Sequence, residues 1–398
     1  MKANRIAPLL AGIFINLFAG LIYAWSLFVA PLEAELGWNR TETSGIFTVS
    51  MICFCLGNIV AGLILKKKST RFAVIVAALM MTLGFIWAST TQVLITIYIA
   101  YGVLCGTGVG LVYNVVISTV VKWFPEKPGT ISGIILMSFG AGGMILGSTA
   151  SALMTAIGWR ETFVILGILF AVIFGIGALW LKTPGPDVIL PEAKVKPKKE
   201  GQSIDVSTRD MMKSRNFWAF LIWGTLVTSA GLVIIGHAST CVLDMGSTMF
   251  FATVVTSTIS VANGCGRLLS GYIYDKMGYK TGILLLNTYY FVAFVIFTIA
   301  MLIESPVLFL IGAAIVPFGY GGAGAATSAF TNDFYGPKNY SLNLSMILLY
   351  MIPAALLGPL VAGAIETATG SYLPVMILFL GITAVGYIVR LFIKKEEA

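Results

Sequence analysis

The stretch VANGCGRLLSGYIYDKMGYK, residues 261–280, poses two problems together. Its second half closes an apolar run with Asp275, Lys276, Gly278 and Lys280, as a helix does on leaving a lipid bilayer. Its first half holds Arg267, the one charged residue between Asp244 and Asp275. A charge near the centre of a membrane helix costs about 2.5–3.5 kcal/mol on insertion scales. The surrounding sequence decides whether this is a membrane helix at all.

Of 398 residues, 58% are hydrophobic and 11% charged. A soluble domain is nearer half apolar and about a quarter charged. Apolar runs of about 20 residues recur from end to end, each long enough to cross a ~30 Å hydrocarbon core. The chain reads as an all-α, polytopic membrane protein with twelve helices, predicted at 7–30, 44–65, 72–89, 93–121, 129–156, 161–181, 216–242, 248–274, 281–303, 306–332, 341–367 and 372–393. The first run, Ile6 to Pro31, is too long for a signal-peptide core and is expected to be retained.

The net charge is +8. Its distribution, not nucleic acid, accounts for it. With the N-terminus inside, 22 of the 25 Lys and Arg fall in cytoplasmic segments; Arg40 and Arg160 lie on the other side and Arg267 inside a helix. That asymmetry predicts both termini in the cytoplasm. The five cysteines fall in or beside predicted helices. Cys53 and Cys55 face different directions on a helix, so no metal site is expected and buried thiols are the plain reading.

A polar, Pro- and Lys-rich break divides the helices six and six. It predicts domains at 1–183 and 216–398, joined by a cytoplasmic linker at 184–215. The halves also resemble each other. GNIVAGLILKKKSTR (57–71) aligns with GRLLSGYIYDKMGYK (266–280) at an offset of 209; AGLIY (19–23) aligns with AGLVI (230–234), and WFPEK (123–127) with FYGPK (334–338), at 211. Three matches in one order indicate duplication, an architecture of transporters whose halves rock about a site.

Two six-helix halves and Gly271, Asp275 and Gly278 in a G-x-x-x-D-x-x-G pattern resemble the major facilitator superfamily. The first-half copy keeps Gly62 but has Lys66 at the acid's place. The stretches NLFAGLIYAWSLFVAPLEAELGWNRTE, KWFPEKPGTISGI, IIGHAS, ANGCGR and NDFYGPKNYSLN are similar to the oxalate/formate antiporter family, which is related to the monocarboxylate transporters. The resemblance implies a major facilitator fold, alternating access, transport of a small carboxylate, and location in a bacterial inner (cytoplasmic) membrane. It also implies a substrate-binding arginine at Arg267.

The residues support that implication independently. Arg267 lies eight residues before Asp275, about 12 Å inside its helix. Arginine does not escape by deprotonating. No carboxylate in the sequence lies at comparable depth, and the planar guanidinium suits a carboxylate through two parallel hydrogen bonds. The bland alternative is a structural arginine bonded to helix-end carbonyls. Its repeat counterpart is Asn58, so the fold does not require a cation there.

The oxalate-type relatives place a lysine nine residues before a Gly-Pro proline. Here, counting from Pro359, that place is Tyr350, which favours a monoanion (formate, lactate, pyruvate or acetate) over oxalate. The monocarboxylate transporters carry an acid four residues before the arginine, where this chain has Asn263. His237 is the remaining titrating group inside the bundle, with three readings: proton carrier, substrate ligand or packed core residue. Anion antiport and proton symport both stay open.

Tyr23, Tyr113 with Asn114, Tyr320 and Tyr350 come from the first, fourth, tenth and eleventh helices, which the resemblance places around a central cavity. Each offers an apolar wall with a hydroxyl or amide at its tip; taken singly, each also suits core packing. Trp25 and Phe334 are candidates for bulk or gating. The runs GTGVG, GAGG and GYGGAG lie inside apolar helices with no strand before them, so they do not form dinucleotide sites. No cofactor is expected, and no catalytic motif appears. The competing reading is a transporter of a neutral or cationic solute with Arg267 structural.

Overall fold

Every regular element is helical among the described residues of a computed structural model, which are 5–124, 128–185, 188, 206–336 and 339–394. Among those residues, twelve helices are long and apolar enough to cross a membrane. They are α1 (Ile6–Ala24), α2 (Arg40–Leu65), α3 (Thr70–Ser89), α4 (Leu94–Trp123), α5 (Gly133–Ile157), α6 (Trp159–Trp180), α7 (Arg215–Asp244), α8 (Met249–Tyr274), α9 (Lys276–Leu302), α10 (Pro306–Tyr335), α11 (Leu342–Thr369) and α12 (Leu373–Phe392). Internal contacts divide the chain into two compact units. The first comprises Met1–Trp38 and Gly45–Lys198; the second comprises Asn39–Ser44 and Lys199–Ala398. Most of the expected linker, 186–187 and 189–205, lies outside the described residues. Where the chain resumes, Val206 donates to the Tyr335 carbonyl and accepts from Asn339 and Asn343, ahead of a short helix, Thr208–Lys213.

Side-chain caps fix several helix starts. The hydroxyls of Ser69, Ser214, Thr248 and Ser305 each accept from the backbone N–H three residues on, satisfying a donor that the first turn leaves open. Helical chain continues past α1 as Ser26–Leu36, running through Pro31 and stopping at Gly37, whose φ of 69° is left-handed. The expected end at residue 30 is therefore six residues early. Arg40, expected in a loop, opens α2. Gly278 joins α8 to α9 at φ 78°, ψ 171°, a conformation open essentially to glycine alone. That is a backbone reason for the motif's last glycine. In the first unit Ser69 stands at its counterpart, with an extended backbone at φ −73°.

The exposed and buried faces have helical period. On α6, Ile168, Val172, Ile176 and Leu179 are exposed while Phe163, Leu166, Phe170 and Phe174 are fully enclosed. The exposed stripe suits lipid and the enclosed one suits the unit's interior. Lipid tails are as apolar as leucine, so close packing of small residues drives association in place of the hydrophobic effect. A methyl group added at Gly20 or Gly142 would overlap the other helix's backbone, at the Phe139 and Leu17 carbonyls respectively. Gly57, Gly106 and Gly110 similarly seat α2 on α4. The glycine runs read from the sequence are thus packing devices.

Beside α6, Glu35 accepts from Trp159 Nε1 at 2.5 Å and from Arg160 Nε at 2.7 Å, while Arg160 also donates to the Ser89 carbonyl at 2.7 Å. The Arg160 hydrogen bond holds the Glu35 carboxyl below its ordinary value of about 4.5, against a smaller opposing effect of burial. A depressed carboxyl pKa contributes stability above the ordinary value, and that contribution disappears as pH falls through the lowered one. Melting temperatures of wild type and Glu35→Gln between pH 3 and 7 are expected to differ above pH ~5 and to converge in acid. A constant difference across that range would contradict this origin.

Candidate functional site

Arg267 lies on α8, 18 residues after Met249, or about 27 Å along the helix. It is half-buried, with its Nε enclosed. One helical turn earlier Asn263 is buried at 1% exposure. Both meet α10 at Gly321. A methyl group there would sit 2.7 Å from Asn263 Oδ1 and 3.1 Å from Arg267 Cγ, and closer still to the Asn263 carbonyl. Gly322 makes the same room for Ser270, and Gly266 on α8 faces the Phe318 backbone. The run GYGGAG therefore shapes a bare backbone seat on which the Arg267 stem lies.

The two expected tyrosines of this unit lean on α7 through glycines of the same face. The Tyr320 ring lies against Gly231 and the Tyr350 ring against Gly224, seven residues apart. Tyr350 Oη is 3.1 Å from Thr327 Oγ1 on α10. Tyr290 of α9, fully buried, fills the space left by Gly231 and Gly319. Sequence reading passed over Tyr290 and Thr327, because neither belongs to a motif and only the glycines opposite mark their places.

His237 is placed elsewhere. It stands seven residues before the end of α7, about 10 Å from that end, whereas Arg267 is ~27 Å from the adjoining start of α8. Its Nδ1 is 2.7 Å from Tyr372 Oη, and its Nε2 is 2.9 Å from the Pro359 carbonyl and 3.3 Å from Ser44 Oγ. Pro359 sits in a π-helical turn, Leu356–Leu360, so the histidine serves a carbonyl in an irregular stretch. Arg40 closes this cluster, reaching Tyr372 Oη at 2.5 Å and Asp244 at 3.5 Å.

In the first unit Tyr23 and Tyr113 meet the same ring. Phe139 lies 5.2 Å from Tyr23 and 4.9 Å from Tyr113, and Phe54 lies 5.4 Å from Tyr113. Tyr23 belongs to a 3-10 turn, Gly20–Ala24. Asn114 Nδ2 donates to the Asn58 carbonyl at 3.1 Å, tying α4 to α2 at the repeat counterpart of Arg267. Phe54 and Phe139 are the partners that the sequence did not single out. Trp25 is fully buried against Tyr101, and Phe334 packs on Phe330 and Tyr279. The side chain of Asp275 lies outside those described. Four cysteines are buried and Cys265 is exposed, a departure from the expected five buried thiols.

Sequence comparisons give the family, and solved structures share the fold. A relative from Escherichia coli K12, an MFS-type transporter called YhjX, is 27% identical over 85% of this chain and 83% of its own length. The oxalate:formate antiporter of Oxalobacter formigenes is 24% identical over 91% and 84%. Mouse monocarboxylate transporter 11 is 22% identical over 65% of this chain and 56% of its own. Among solved structures, the nucleoside transporter NupG superposes with a TM-score of 0.73 at 13% identity, over 98% of this chain and all of that one. The bacterial Spinster homologue, unoccupied, gives 0.70 at 16% identity over 99% and 95%. The profile of the Major Facilitator Superfamily matches residues 9–348. The chain belongs to the major facilitator superfamily of membrane transporters.

Proposed function

We propose that the protein is a secondary active transporter of small carboxylate anions, working by alternating access, with Arg267 as the group that receives the carboxylate. The observation that carries this is the seat of Arg267: a guanidinium whose stem is fixed on the bare backbone of Gly321, within a membrane-spanning helix, beside the buried amide of Asn263. A cation held so deep is stabilised by an anion that brings two acceptor oxygens. The oxalate:formate antiporter and monocarboxylate transporter relatives support a carboxylate. Tyr350 at the place where the oxalate-type pattern has lysine supports a monoanion over oxalate. Tyr320 and Tyr350 are assigned to the site with Asn263 and Arg267, and Tyr23, Tyr113 and Asn114 are assigned as first-unit contributors. Of the three readings of His237, we adopt the packed one, because both ring nitrogens have protein partners; exchange of one anion for another then needs no proton carrier. The charge distribution supports cytoplasmic termini, and the bacterial relatives support the inner membrane.

The second reading, a neutral or cationic solute with Arg267 structural, draws on the enclosed Nε and the packed stem. Thermal unfolding of the purified protein separates the two, since a ligand that binds only the folded state raises apparent stability with its occupancy. Formate, acetate, lactate or pyruvate is expected to raise the melting temperature in wild type and in His237→Ala. Stabilisation by amines, sugars or nucleosides, with none by carboxylates, would favour the second reading.

A further inference from the structure

The first-half motif departs from the second at Lys66, and the surroundings of that departure form a site of their own. Where α2 and α4 finish and α3 begins, the first unit has an open cavity of about 620 Å³. Lys68, Arg71, Lys122 and Lys182 line it, with no acid among the described lining residues. All four cations are exposed, and none forms an ion pair among the described residues. Ser69 and Thr70, at the capped start of α3, also line the cavity, so the positive end of the α3 dipole opens onto it. Thr70 is held to Thr119 of α4 at 3.3 Å, and Trp123 Nε1 donates to the Lys182 carbonyl at 2.5 Å. The walls are therefore cross-braced, while the four cations that line the cavity stay exposed.

The fold does not demand this charge. At the repeat offsets, Lys66, Lys68 and Lys122 correspond to Asp275, Met277 and Asp333. The second unit thus carries a mixed set where the first carries cations alone. Four like charges around one space repel one another, and an anion between them removes that repulsion. The cavity volume corresponds to about twenty water molecules, more than a free phosphate fills. Leu179 and Trp180 of α6 and Phe72 of α3, close in sequence to Lys182 and Arg71, are exposed apolar side chains. An occupant with acyl chains would find apolar side chains close in sequence to two of the four cations.

We propose that this cavity binds the phosphate headgroup of an anionic phospholipid. Basic pockets at the ends of membrane helices recognise such headgroups through charge and hydrogen bonding together. The test uses the full chain, purified and reconstituted in nanodiscs of phosphatidylcholine with a minor fraction of phosphatidylglycerol. Lipid retained after detergent extraction is counted by native mass spectrometry. Wild type is expected to retain phosphatidylglycerol at least tenfold over its share in the disc. Lys68→Gln/Arg71→Gln/Lys122→Gln/Lys182→Gln is expected to lose at least four-fifths of that enrichment. Arg209→Gln/Lys276→Gln/Lys280→Gln/Lys394→Gln, which removes the same charge elsewhere, is expected to keep it. Equal loss in both variants, or no loss in the first, overturns the proposal. So does displacement of phosphatidylglycerol by millimolar inorganic phosphate, which would make a free anion the occupant. Should the fourfold cavity variant fail to fold, Lys122→Gln and Lys182→Gln singly are expected to reduce enrichment by about half each, and no change in either overturns it. The readout needs no transported substrate and is independent of the carboxylate assignment.

Discussion

Arg267→Ala is expected to weaken carboxylate binding by at least about thirty-fold. Truncating one partner of a buried, hydrogen-bonded charge pair typically costs about 2–5 kcal/mol, and ~1.4 kcal/mol is tenfold in affinity. Arg267→Lys is the more discriminating variant. It keeps the charge but loses the planar fork that engages two carboxylate oxygens together, so a loss of roughly tenfold is expected. The check is a melting-temperature titration with formate or acetate for wild type and both variants. If Arg267 only braces the helix, both variants will melt lower, yet each will shift with carboxylate as wild type does.

The second large effect belongs to folding. Gly142→Ala is expected to destabilise the first unit by more than about 3 kcal/mol. Overpacking ordinarily costs ~1–3 kcal/mol because neighbouring side chains yield. Here the atoms in the way are main chain: the Leu17 carbonyl and, at 2.8 Å, the Gly20 Cα. They can move only if α1 and α5 separate. Gly381→Ala on α12 is the matched control, since nothing lies within 4 Å of its added methyl; exposed changes of that kind stay within about 0.5 kcal/mol. Comparing the two variants by folded yield and melting temperature tests whether small residues, not burial in general, set the packing. Equal behaviour would contradict that.

These two predictions draw on different levels of the sequence. Helix number and membrane residence were legible because a run of about 20 apolar residues has few other uses. The ends were less legible. Pro31 reads as a stop, yet the helix passes it and ends at Gly37, whose left-handed φ has no signature beyond the residue type. Arg160 reads as a loop charge; its ladder to Glu35, Trp159 and Ser89 joins segments up to 125 residues apart. The surroundings of Arg267 were legible in part. Asn263 and Arg267, four residues apart, share a helix face by periodicity alone. Nothing in the local pattern pairs them with Gly321, 54 positions beyond Arg267, or gives Tyr320 and Tyr350 their places at Gly231 and Gly224. Glycine seats are three-dimensional facts. The sequence shows a residue without a side chain, and only the fold shows what occupies the space.

The same reasoning separates His237 from Arg267. Both are ionisable groups in apolar helices, and both look functional on that ground. The histidine's ring meets Tyr372 Oη and the Pro359 carbonyl, within a cluster that Arg40, Ser44 and Thr240 complete. The arginine's stem lies on the bare backbone of Gly321, one turn from the buried amide of Asn263. Depth in the bilayer marks a residue as worth explaining, and its neighbours supply the explanation.

Anion exchange in proteoliposomes tests the central claim most directly. Vesicles loaded with unlabelled formate or acetate are diluted into the radiolabelled anion, and uptake is followed for wild type and Arg267→Ala. The account predicts saturable counterflow in wild type that is lost in the variant while the variant remains folded. Counterflow of equal rate in Arg267→Ala, or none in wild type with any small monocarboxylate, would contradict it.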